Sequence, residues 1–148
     1  MIASQADAQP EILRTALLGS SFHHIGVACY DLDREESAFS ALGYSRETAD
    51  FFDPIQGIDG RFLIGGGPRL ELLKNHADRG PLTPWLKKGV RFYHVAYETD
   101  SLADAAATLA RAGAKQVVAP VRAVAFDGRL ISFHMLSNLS LVELISRT

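Results

Sequence analysis

At 148 residues the chain holds one domain, or two half-size modules sharing a core, and little more. Its 47% hydrophobic and 22% charged residues are those of a globular protein and exclude disordered and fibrous classes. A net charge of −2, with no basic run longer than Lys87-Lys88, argues against nucleic acid, and no apolar stretch is long enough to cross a bilayer.

Residues 1–20 lack the basic start and apolar core of a secretion signal and form an N-terminal extension, with a packing helix expected over 10–18. The lone Cys29 cannot form an internal disulfide, so a reducing, cytoplasmic setting is expected, and Cys29 reads as a small core residue. Alternation over 22–29 suits a strand, and 33–42 reads as a helix stopped by Gly43. Strand-like runs follow at 44–51, 61–64 and 69–74, divided by Asp53-Pro54 and by Gly65-Gly66-Gly67-Pro68. That glycine run is a turn, since no Lys-Ser/Thr and helix follow it as in a phosphate loop. A connector at 81–90 carries the amphipathic Trp85-Leu86. Beyond it Ser101 caps a helix with Asp104 in its first turn, its stripe is Leu102, Ala105, Ala106 and Leu109, and Gly113 ends it. Three more strands are expected at 116–121, 130–135 and 139–145, turned by Asp127-Gly128 and Ser137-Asn138.

The elements repeat. His24-Ile25-Gly26-Val27-Ala28 matches His94-Val95-Ala96-Tyr97-Glu98 at an offset of 70, and Gly43 matches Gly113 at the same offset. Leu70-Glu71-Leu72-Leu73 matches Val142-Glu143-Leu144-Ile145 at an offset of 72. The expected organisation is therefore α+β: two tandem βαβββ modules, 21–80 and 91–148.

Strand parity shows where chemistry would lie. Leu70 and Leu72 oppose Glu71, Val142 and Leu144 oppose Glu143, Ile25 and Val27 oppose His24, and Val95 and Tyr97 oppose His94. Each half thus offers one histidine and one glutamate on the face away from its bulky apolar residues, with the small Gly26, Ala28 and Ala96 leaving space beside the histidines. Any one of the four, alone, fits a solvated strand face or a structural hydrogen bond. Doubled at matching repeat positions, they read as a ligand set for one divalent ion (Zn, Ni, Co, Mn or Fe(II)), which would also relieve the repulsion between two facing carboxylates. His23, of opposite parity to His24, is expected to contact the helix side, and His76 to lie in a polar loop.

With these residues in view, the chain resembles the vicinal oxygen chelate superfamily of glyoxalase I, methylmalonyl-CoA epimerase, extradiol dioxygenases and bleomycin-resistance proteins, over about 22–146. Within it, His24-Ile25-Gly26-Val27-Ala28, Leu82-Thr83-Pro84-Trp85-Leu86 and Gly128-Arg129 before Phe133-His134 are similar to the epimerase branch. The resemblance implies that the two βαβββ modules form a curved mixed sheet around a shared metal cleft, with metal ligation by His24, Glu71, His94 and Glu143. It also implies proton abstraction beside a carbonyl through a metal-stabilised enediolate, with Glu143 and Glu71 as the catalytic carboxylates and Glu143 the first choice of base. The implied substrate is a small molecule with adjacent oxygens, an acyl thioester being one candidate, and the implied assembly is a homodimer. The additional third-strand glutamate of the epimerases has no counterpart in Gly57-Ile58-Asp59-Gly60-Arg61-Phe62, where Asp59 is the one acidic residue. Arg129 could anchor an anionic group. The alternatives are a glyoxalase-type lyase, disfavoured because Leu136-Ser137-Asn138-Leu139 replaces the usual Asp-Pro-Asp-Gly turn, and a drug-sequestering binding protein without catalysis.

Overall fold

The computed structural model describes Leu17 and residues 19–148, so the helix expected over 10–18 lies largely outside the described residues. In chain order the elements are β1 (Ser20–Ala28), α1 (Leu32–Ser40), β2 (Ser45–Arg46), β3 (Phe51–Asp53), β4 (Ile58–Ile64) and β5 (Leu70–Asn75). They continue with α2 (Thr83–Lys87), β6 (Phe92–Thr99), α3 (Leu102–Arg111), β7 (Lys115–Arg122), a 3-10 turn (Val124–Phe126), β8 (Leu130–Met135) and β9 (Leu141–Ser146). Local chemistry sets the helix ends. Asp31 caps α1 by accepting from the Arg34 N–H at 2.8 Å, and Ser101 caps α3 by accepting from the Asp104 N–H at 3.2 Å. Gly43 and Gly113, at φ of 90° and 91°, turn the chain out of each helix in a conformation that favours glycine.

All the strands join one curved mixed sheet in the order β2-β4-β5-β1-β6-β9-β8-β7, with β3 also paired to β4. β1 runs parallel to β5 and β6 parallel to β9, while β1 and β6 meet antiparallel at the centre. The two halves are thus related by an approximate twofold across the β1–β6 seam. One face of the sheet packs on helices: Val27, Leu63, Leu70 and Leu72 against Leu32 and Phe39 of α1, and Val142 and Leu144 against Ala105 and Leu109 of α3. The opposite face holds Phe62, Ala96, Phe126, Ile131, Phe133 and Ile145.

Two departures from the expected elements have clear causes. The single strand expected over 44–51 is broken into β2 and β3, because Asp50 turns to accept from the buried Arg61 guanidinium at 2.6 and 2.8 Å. β3 then resumes pairing where Gly60 leaves room for the Phe51 ring, which a Cβ at that glycine would meet at 2.1 Å. The other departure is in the central seam, where register slips between Phe22 and His24 and again between Gly26 and Val27, opposite His94 and Phe92. His23 on β1 and Tyr93 on β6 are therefore unpaired bulge residues, each immediately before a histidine of the repeat. No helix among the described residues is long and apolar enough to cross a membrane.

Candidate metal centre

The four central strands β5-β1-β6-β9 bring together Glu71, His24, His94 and Glu143. The register explains how. Gly26 sits between Glu71 on β5 and His94 on β6, and Ala96 sits between His24 on β1 and Glu143 on β9. The small residue in each row lets the larger flanking side chains converge. One ligand atom from each of the four lies within 4.8 Å of the others, and none of the residues is more than 3% exposed.

The distances inside the cluster suit a cation. His24 Nε2 is 2.9 Å from Glu71 Oε2, 3.0 Å from His94 Nε2 and 3.3 Å from Glu143 Oε2. His94 Nε2 is 3.2 Å from Glu143 Oε2 and 3.5 Å from Glu71 Oε2. Two donors each about 2.1 Å from a shared ion are separated by about 3.0 Å at a right angle and about 3.4 Å at the tetrahedral angle, which brackets most of these edges. Two imidazole nitrogens aimed at each other need a proton or a cation between them. Glu143 Oε2 is buried without any hydrogen bond of acceptable geometry, although both imidazoles are near it. A buried carboxylate oxygen in that state is costly unless a cation satisfies it. The residues present fit a divalent ion.

Electrostatics points the same way. Burial disfavours the charged form of His24, but the Glu71 and Glu143 carboxylates beside it outweigh that and push the imidazole up to about 9. His94 is likewise raised against burial by Glu143 and Glu71. Glu71 and Glu143 are held below the usual carboxylate range, burial being overcome by the two imidazoles. The cluster is thus built to be two carboxylates balanced by positive charge, whether that charge is carried by protons or by a metal.

Aromatic rings wall the cluster. Phe62 lies 5.5 Å from the His24 ring and Phe133 lies 5.4 Å from the His94 ring, and each phenylalanine is paired in the sheet with the glutamate of its half. These two residues stand 71 positions apart, so the repeat itself could have revealed them. Phe126 stacks on His24 at 5.9 Å and Tyr93 meets His94 edge-on at 4.5 Å. Beyond Tyr93 and Phe133 opens a cavity of about 480 Å³ whose walls include Trp85, Leu82, Val118, Val121 and Met135. Among the described residues, no lysine or arginine lines it.

Other residues singled out from sequence fall elsewhere. Asp59 is on β4 with its side chain on the face opposite the cluster, tied to Lys74 at 3.0 Å and His76 at 3.0 Å, so it cannot stand in for a base in the cleft. His76 stacks on Phe52 at 4.0 Å. Arg129 spends its donors on Glu98 and the Phe126 and Ser146 carbonyls instead of facing the cavity. Cys29 is a buried core thiol that burial pushes up to about 12. His23 is not on the helix side as parity predicted, because the bulge turns it against His24, Phe62 and Phe126.

Comparison with known proteins bears on the family and the fold. A family model, the Glyoxalase/Bleomycin resistance protein/Dioxygenase superfamily, matches residues 23–133. A Streptomyces coelicolor methylmalonyl-CoA epimerase in complex with 2-nitronate-propionyl-CoA is 26% identical, with a TM-score of 0.70, over 84% of this chain and 95% of that one. The Mycobacterium tuberculosis methylmalonyl-CoA epimerase shares the fold at 21% identity and a TM-score of 0.71, over 86% of this chain and 87% of that one. A hypothetical protein of Bacillus halodurans does so at 20% identity and a TM-score of 0.73, over 87% of this chain and 95% of that one. No curated protein sequence matches.

Proposed function

Since the chain belongs to the glyoxalase/bleomycin resistance protein/dioxygenase superfamily, we propose that it is a divalent-metal-dependent epimerase or isomerase that moves a proton beside a carbonyl. His24, Glu71, His94 and Glu143 would hold the ion, which when bound supplies Lewis-acid stabilisation of negative charge on substrate oxygen. Zn, Ni, Co, Mn and Fe(II) all suit this donor set.

The observation that carries the reading is the convergence of two buried imidazoles and two buried carboxylates, one of each from either half of the sheet, with a ligand atom from each within 4.8 Å of the others. Glu143, loosened from the ion, serves as the base that takes the proton. Glu71 comes from the other half of the sheet and keeps the histidines oriented. Phe62, Phe126 and Phe133 exclude water around the reacting carbon.

The solved epimerases make acyl thioesters with a second oxygen beside the thioester carbonyl the natural first substrates. The apolar cavity walled by Trp85, Tyr93, Phe133 and Met135 would take their apolar parts. The test is solvent deuterium entry at the 2-position of a panel of branched acyl thioesters, methylmalonyl-CoA included. Exchange by the wild type, lost in Glu143→Gln with metal still bound, is the expected result. Full exchange by that variant would remove Glu143 as the base. The same apolar cavity favours a second reading, sequestration of a planar drug, and absence of any metal uptake by the purified protein would favour that reading over catalysis.

A further inference from the structure

The bulge at His23 does more than fill space. His23 Nδ1 lies 2.8 Å from His24 Nδ1, and its other nitrogen, Nε2, lies 3.2 Å from Arg69 Nη1 and 3.5 Å from Glu98 Oε1. We propose that His23 is a positioning residue that decides whether His24 Nε2 is free to bind the metal, with Glu98 and Arg69 pulling it in opposite directions. This rests on the metal-binding reading of the four-residue cluster.

One proton is shared along each imidazole–imidazole bond, so the tautomers are linked. For His24 Nε2 to offer a lone pair to a cation, its hydrogen must sit on Nδ1 and be donated to His23 Nδ1. His23 must then carry its own hydrogen on Nε2, where the Glu98 carboxylate is the available acceptor. In the other arrangement Arg69 donates to His23 Nε2, His23 donates from Nδ1 to His24 Nδ1, and His24 Nε2–H points at Glu71, 2.9 Å away, where it blocks the ion. Arg69 loses little when it lets go, because it holds Glu47 through two bonds at 2.9 and 3.1 Å. A metal-ligating histidine whose second nitrogen is fixed in this way is better oriented and more basic.

The twofold-related position provides an internal contrast. Tyr93 occupies the equivalent bulge before His94, and it offers a ring edge instead of an acceptor. The Nδ1 of His94 is buried with no hydrogen-bond partner among the described residues. The repeat therefore built the bulge twice and placed a proton partner in it once.

The test measures Co(II) and Zn(II) binding to the full-length metal-free protein by competition with a chromophoric chelator. It also records the imidazole nitrogen NMR pattern of the Zn(II) form. His23→Phe keeps an aromatic ring and removes the bond; it should weaken affinity about 10- to 100-fold at unchanged stoichiometry and abolish the single His24 tautomer. His23→Asn, which returns an acceptor near the Nδ1 position, should recover most of that loss. Glu98→Gln should weaken binding by a smaller factor, and it keeps the proposal testable should His23→Phe fail to fold. Wild-type affinity and an unaltered His24 pattern in His23→Phe, or in Glu98→Gln if that is the variant that folds, would overturn the positioning role alone. Absence of Co(II) and Zn(II) binding by the wild type would overturn the metal reading and this proposal with it.

Discussion

Gly26→Ala tests the metal site through a single added methyl group. Gly26 has ordinary negative φ, so alanine meets no backbone obstacle there. The obstacle is the His94 ring, whose Cε1, Nδ1 and Nε2 would lie 2.0, 2.2 and 2.5 Å from the new Cβ. Ordinary contact begins near 3.4 Å, so the ring must retreat by about 1.4 Å, whereas metal–ligand distances tolerate about 0.2 Å. Binding free energies of about 10–16 kcal/mol for four-ligand zinc sites imply about 3 kcal/mol for each ligand, so losing His94 should weaken affinity about 100-fold or more. Metal-free stability should fall by about 1–3 kcal/mol from overpacking. The assays are chelator competition for affinity and urea unfolding for stability. Ala96→Gly, which opens space at the related position beside His24, is the control and should bind within about threefold of wild type. Full-strength binding of one ion by Gly26→Ala would refute the placement of His94 in the ligand set.

Further predictions concern protons and the closure of the cleft. In the metal-free protein the raised His24 contributes stability that is complete below about 6.5 and lost as pH climbs through about 9; the depressed Glu71 and Glu143 contribute above about 4.5 and lose it as pH falls. Thermal unfolding should therefore show this contribution greatest between those limits. Metal affinity should do the reverse, rising from pH 6 to 9 as the ion displaces about one to two protons, counted by calorimetry in buffers of different ionisation enthalpy. Buried Asp53 accepts from Ile55, Gln56 and, across the cleft, the Val124 N–H at 3.1 Å. Asp53→Ala removes a buried carboxylate that accepts these bonds and should cost about 1–2 kcal/mol in denaturant unfolding; a loss below about 0.5 kcal/mol would mean that the link across the cleft is idle.

How much of this could be read from residues alone followed from strand periodicity. The His-Glu pair in each half was visible because β1, β5, β6 and β9 keep strict alternation through those residues, so parity put all four on one face. Parity failed at His23 because a bulge inserts one residue and reverses every inference on its far side. It also missed the split of 44–51, since nothing local announces that Asp50 will leave the strand for Arg61, 11 positions later. The cavity walls come from α2, β7, β8 and parts of other strands, which meet only in the folded sheet, and this hid the cavity. Phe62 and Phe133 were legible in principle, since they repeat as faithfully as the glutamates they adjoin.

The mismatch at positions 23 and 93 bears on how a guest is seated. Two identical copies, folded about a common axis, would offer anything bound on that axis two equivalent seats, each reached from the other by half a turn. An imidazole on one flank and a phenol on the other end that equivalence a single residue from the shared centre. Whatever preference the cleft has for one seating over the other must come from mutations that set the copies apart, and not from the duplication that created them.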